Sequence, residues 1–121
     1  MIKTGKIDLD PRVSQDESEL RCPRCGSINL HHTGVTIFDR EEDDDPLVRI
    51  KAVGRSVTTE IVPATDASNP STRRHGLAIQ FKCENCNWKD EPDVIELTVA
   101  QHKGSTNLGW RFDPLVAKNS K

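Results

Sequence analysis

The chain has no tyrosine, one methionine and five aromatic residues in all, two tryptophans and three phenylalanines among 121 positions. With 34% apolar and 30% charged residues, it can bury only a thin core. Domains short of buried area recruit a metal, disulfides or a second subunit. No apolar run approaches membrane-spanning length, and Met1 to Asp8 lacks the apolar stretch of a signal peptide. The expectation is a soluble, cytoplasmic protein. An excess of one charge is missing too: 17 basic against 19 acidic side chains give a net charge of −2, so no global field draws in a polyanion. No stretch of ten residues carries a helical period, which speaks against a bundle.

What is present is a set of four cysteines in two pairs, Cys22-Pro23-Arg24-Cys25-Gly26 and Cys83-Glu84-Asn85-Cys86-Asn87. Two thiolates three positions apart on a tight turn aim at one ion, and four satisfy a tetrahedral Zn²⁺ with no position left open. In a reducing compartment such pairs bind metal more often than they form disulfides. Cys22, Cys25, Cys83 and Cys86 are therefore the expected ligands of one structural Zn²⁺. Gly26 and Asn87 follow the pairs, where each turn needs a residue tolerant of positive φ, and Trp88 is placed to cover the site. Zinc ribbons usually separate their pairs by about 15 to 20 residues. Here residues 26 to 82 intervene, 57 in number, which implies a long β-rich insertion between the knuckles.

The remaining pattern is all β. Ile28 to Phe38 reads as a strand with a bulge at Gly34, or as two strands. Leu47 to Val53 and Arg55 to Val62 form a hairpin about Gly54. Leu77 to Cys83 alternates, with Leu77, Ile79, Phe81 and Cys83 on one face. Val94 to about His102 is a strand, and Leu108 to Phe112 returns after a turn at Lys103 to Asn107. The expected architecture is a small antiparallel zinc-ribbon-like domain over residues 20–112, between a flexible arm (1–19) and a flexible tail (113–121).

Two uneven charge features stand out. Asp39 to Asp45 is an acidic block, read as a solubilising loop or a docking site for a basic partner. Pro63 to Gly76 is the least structured stretch inside the domain and carries Asn69, Arg73, Arg74 and His75. These four are the candidate contact residues, able to grip phosphate or a protein surface; alternatively the arginines pair with the acidic block. The histidines His31, His32 and His102 read as surface or knuckle-packing residues.

Rival readings of the cysteines fare less well. A dithiol redox site needs one pair near a βαβ pattern, which is absent. Rubredoxin-type iron uses the same four thiolates but packs aromatics around them. A catalytic zinc needs an open position. The second pair, with Asn69 and His75 before it, is similar to the closing knuckle of HNH endonucleases, but the Asp-His start and final helix of that family are missing. Over residues 20 to 112 the chain resembles small bacterial and mobile-element zinc-ribbon proteins. The likeness is carried by Cys22-Pro23-x-Cys25-Gly26-Ser27, Leu30-His31-His32, Asn69-Pro70-Ser71-x-Arg73-Arg74-His75-Gly76-Leu77, the Cys83 pair, and Ala100 to Gly104 before Trp110. That resemblance implies fold and metal but no activity. The sequence thus leads to a non-enzymatic binding module whose partner is a protein or nucleic-acid component of gene-expression or nucleic-acid-processing machinery. Neither membrane nor small-molecule substrate is indicated. A metal-dependent HNH-like nuclease is the alternative.

Overall fold

The structure is a computed structural model that describes residues 4–5, 9–10, 19–86 and 95–112. Six strands form its body: β4 (Leu30–Asp39), β5 (Leu47–Val53), β6 (Ser56–Val62), β7 (Gly76–Cys83), β8 (Ile95–His102) and β9 (Ser105–Arg111). The two-residue strands β1 (Thr4–Gly5), β2 (Leu9–Asp10) and β3 (Glu19–Leu20) precede them. β1 adds to the edge of the main sheet, whose order is β1-β9-β8-β7-β4-β5-β6, while β2 and β3 pair with each other. Every pairing is antiparallel, and the described residues include no α-helix. The all-β antiparallel expectation is met.

Local chemistry explains the turns. Gly54 at φ +64° with Arg55 makes the two-residue link between β5 and β6, where Val53 faces Ser56. Lys103 and Gly104, both at positive φ, close the β8–β9 hairpin in the manner of a mirror-image turn whose twist suits the strands. β9 therefore starts at Ser105, earlier than the run of polar residues to Asn107 suggests. The bulge expected at Gly34 is present: the β4–β7 register shifts between His32 and Gly34. A Cβ at Gly34 would meet Val53 Cγ2 at 2.8 Å, so glycine lets the neighbouring strand close in.

The one long crossover is the connection from β6 to β7. β7 pairs with β4 and not with β6, so residues 63–75 travel back across the sheet. They begin with a 3₁₀ turn, Ala64–Asp66, and lie against a surface of small side chains. Ala78 and Gly76 of β7 are buried there, and a Cβ at Gly76 would collide with Asn69 Oδ1. Phe38, Leu47, Val62, Ala67 and Ala78 make the core on this crossover face.

The same face also buries Arg111 and Arg40, both with defined partners. The Arg111 guanidinium meets Glu96 Oε1 through Nε at 2.8 Å and Nη2 at 2.7 Å, and its Nη1 donates to the Ser68 carbonyl at 2.7 Å. Arg40 donates to the carbonyls of Asp44 (2.7 Å) and Thr72 (3.0 Å).

The opposite face divides in two. At one end Ile95 and Trp110 are fully buried together with Cys22 and Cys83, with Leu20, Leu30, Phe81, Leu97 and Phe112 packed around them. Beyond that cluster the face stays open. Its rows follow from the register: Leu108, Val99, Leu77, Ile37 and Ile50 stand side by side across five strands, and Leu97, Ile79, Val35, Ala52 and Val57 form the row beside them. Leu77 and Ile79 of the alternating strand are only half-buried, whereas Gly76, Ala78 and Gln80 between them are buried. The more apolar side of the sheet is therefore its less covered one.

Candidate metal centre

The two cysteine pairs meet because β4 and β7 are neighbours. The first knuckle leads into β4 and the second leaves β7, and Leu30 and Cys83 are register partners. Strand pairing thus places Cys25 and Cys83, 58 positions apart, with their sulfurs 3.5 Å from each other, and Cys22 and Cys86, 64 positions apart, also at 3.5 Å. All four Sγ atoms lie within 4.8 Å of one another. A disulfide would hold two sulfurs at about 2.05 Å, and all four cysteines are free. Thiolates about 2.3 Å from a tetrahedral ion have S···S edges of roughly 3.8 Å, so the cluster has the size and donor set of a four-thiolate metal site. Among the described residues it is the one group of three or more His, Cys, Asp or Glu side chains whose ligand atoms converge.

Each knuckle is built by its own backbone. Gly26, at φ +78° with open space where a Cβ would be, donates its N–H to the Cys22 carbonyl at 2.9 Å. Cys22 N–H donates to the Ser27 carbonyl at 2.8 Å. Amides two residues along then face the sulfurs. The Ser27 amide is the leading cause that brings the Cys25 thiol down to about 7. The Asn85 amide acts likewise on Cys83, where burial outweighs it and raises the thiol above its ordinary value. Burial, followed by the neighbouring sulfurs, also pushes Cys86 up. Four sulfurs this close resist carrying four charges in the absence of a cation, and a divalent ion removes that conflict by displacing the thiol protons.

A bridge of side chains holds the knuckles in register. Asn85 Oδ1 accepts from Ser27 Oγ at 2.5 Å and from Asn29 Nδ2 at 2.9 Å. Glu84 N–H donates to the Asn29 carbonyl at 3.0 Å. Arg24 stacks over Phe112, 5.3 Å from the ring centroid. Cys22 and Cys83 are buried, Cys86 is half-buried and Cys25 faces solvent. Asn87 and Trp88, expected to shape and cover the second knuckle, lie outside the described residues. The spacing of cysteines pointed to the ligands. Nothing in it pointed to Asn85, Ser27 and Asn29, whose role depends on two segments meeting.

The candidate contact residues are gathered at the far end of β4 and β7. Arg73 grips Asp43 with both nitrogens of a fork, Nε to Oδ1 at 2.8 Å and Nη2 to Oδ2 at 2.5 Å, and Arg74 Nη2 lies 2.6 Å from Glu42 Oε1. The arginines and the acidic block are thus each other's partners. Arg73 holds the Asp43 carboxyl below its ordinary range. Asn69 Oδ1 accepts from Ser71 N–H, its Nδ2 donates to the Arg74 carbonyl, and His75 Nδ1 accepts from the Arg40 N–H at 3.1 Å. Ser71 Oγ donates to the His75 carbonyl and accepts from Gln101 N–H. The stretch that reads as least structured is pinned at both edges by its own polar side chains. His31 sits 3.1 Å from Glu84 at the knuckle, His32 meets the Phe81 ring edge-on, and His102 is exposed at the end of β8.

No protein-family model, no curated protein and no solved structure matches the chain. The likeness to zinc ribbons therefore rests on the cysteine cluster and its geometry.

Proposed function

We propose that the chain is a non-enzymatic binding module whose sheet is clasped by one structural Zn²⁺ on Cys22, Cys25, Cys83 and Cys86. The single observation that supports this most is the set of four sulfurs within 4.8 Å at the junction of β4 and β7. Four thiolates complete a tetrahedron, and a complete tetrahedron has no position for a substrate or an activated water. Zinc is the metal that such a donor set selects in a cytoplasm. Cobalt titration of the metal-free chain tests both points. The expected result is the strong visible absorption of tetrahedral thiolate-bound Co²⁺, unchanged by added azide or cyanide and bleached by one equivalent of Zn²⁺. A spectrum that shifts with added anion would indicate an open coordination position and contradict the structural role.

The partner belongs, on this reading, to gene-expression or nucleic-acid-processing machinery, and the Asn69–His75 loop is the surface offered to it. Two features favour a protein over a polyanion there. Arg73 and Arg74 are already matched by Asp43 and Glu42, and the net charge is −2. Binding to single- or double-stranded DNA or RNA should accordingly be absent, or too weak to fall steeply with salt. Tight, salt-sensitive binding lost in Arg73→Ala/Arg74→Ala would reverse that choice. The nuclease alternative draws no support from the site: Asn69 bonds within its own loop, to the Arg74 carbonyl and the Ser71 N–H, and His75 Nδ1 accepts from the Arg40 N–H.

A further inference from the structure

The open face of the sheet has no counterpart in the proposed metal centre or in the contact loop. Ile37 lies on β4, an interior strand, yet it is 42% exposed. Around it Leu77, Ile50 and Val99 are only half-buried, and Ile61 and Leu108 at the margins are 74% and 52% exposed. From β4 to β9 the rows of this face carry one charged side chain, Asp39, and it stands at the rim beside Val48. The charged and polar residues of the same strands, Arg49, Lys51, Glu60, Glu96 and Arg111 among them, point to the face that the crossover covers. An interior strand that shows its isoleucine to water marks a surface meant to be covered.

We infer that this face is the interface of a homodimer, in which two copies stack their sheets through a two-fold axis. Its size suits a second copy. Counting the two aliphatic rows and the rim row that holds Thr106, Gln101, Asp39, Val48 and Ile61, six strands about 4.8 Å apart and three residue rows deep present about 600 Å² on each copy, and a pair would bury about 1,200 Å², the lower bound of stable specific interfaces. Its chemistry is self-complementary, since an aliphatic centre with its one charge, Asp39, kept to the rim can meet its own image, and stacked sheets interdigitate such side chains at about 10 Å.

The test is the mass in solution of the full metal-loaded chain, by light scattering after size exclusion, over a dilution series. The expected value is twice 13.5 kDa, falling to one chain in Ile37→Lys with metal content and circular dichroism unchanged. Ile61→Lys/Leu108→Lys changes two positions that already face solvent, so it reads the interface even where Ile37→Lys fails to fold. Each should weaken dimerisation by at least about a hundredfold, since a two-fold axis buries every introduced charge twice. A single-chain mass at all concentrations would overturn the inference, whether the face is then found bare or covered by the chain's own tail. So would a dimer that survives all of these substitutions, which would place the contact on another surface.

Discussion

Gly76 is where the fold leaves least room for a side chain. A methyl group there would press into Asn69 Oδ1 and come within 2.9 Å of Pro70 Cδ, so Gly76→Ala should lower stability by at least about 2 kcal/mol, measured by thermal or urea denaturation. Glu96 is a second such position. It is 3% exposed and neutralises Arg111, which is 5% exposed; Glu96→Ala leaves a buried guanidinium with one carbonyl partner and should cost about 3 to 5 kcal/mol. At the cluster, the thiols of the metal-free chain should differ in reactivity. Cys25 is exposed and drawn down to about 7, whereas Cys83 and Cys86 are pushed up. The thiolate is the nucleophile, so alkylation followed by peptide mapping should mark Cys25 first, slowing as the pH falls below about 7 and the thiolate takes up its proton. Bound metal should protect all four.

At the scale of elements, the decisive event is the pairing of β4 with β7, which brings two knuckles together across a long insertion. Asn85 ties them by accepting from Ser27 and Asn29. Asn85→Ala keeps every ligand yet loosens their mutual orientation, so metal affinity, read by competition with a chromophoric chelator, should fall about 10- to 100-fold. The strands themselves were legible in the sequence. Leu47 to Val53, the hairpin at Gly54, the bulge at Gly34 and the strand ending in Cys83 all show in alternation and in glycine placement. The crossover was not legible, because its order comes from Asn69 bonding within the loop and from Ser71 and Arg40 meeting backbone 30 and 32 positions away, and such bonds leave no period. Alternation also says which residues share a face but not which face is covered. Leu77 and Ile79 look like core by pattern, yet the chain's own crossover lies on the other side, over Gly76 and Ala78.

For the whole molecule, the thin apolar content has a structural answer. The sheet carries one small core under the crossover and another shared with the cysteine cluster. A metal that joins Cys25 to Cys83 closes a long loop, and by analogy with a covalent cross-link of that span the closure is worth on the order of 4 kcal/mol. That is a large fraction of the net stability of a small domain. The metal would also fix the end of the sheet at which Trp110 and Ile95 are buried. The most direct measurement is elemental analysis of the purified chain combined with its unfolding, followed by circular dichroism, before and after a strong chelator. The account predicts one zinc per chain and a cooperative transition that is lost on chelation and regained when Zn²⁺ is returned. A metal-free chain that melts with the same midpoint and cooperativity would contradict it.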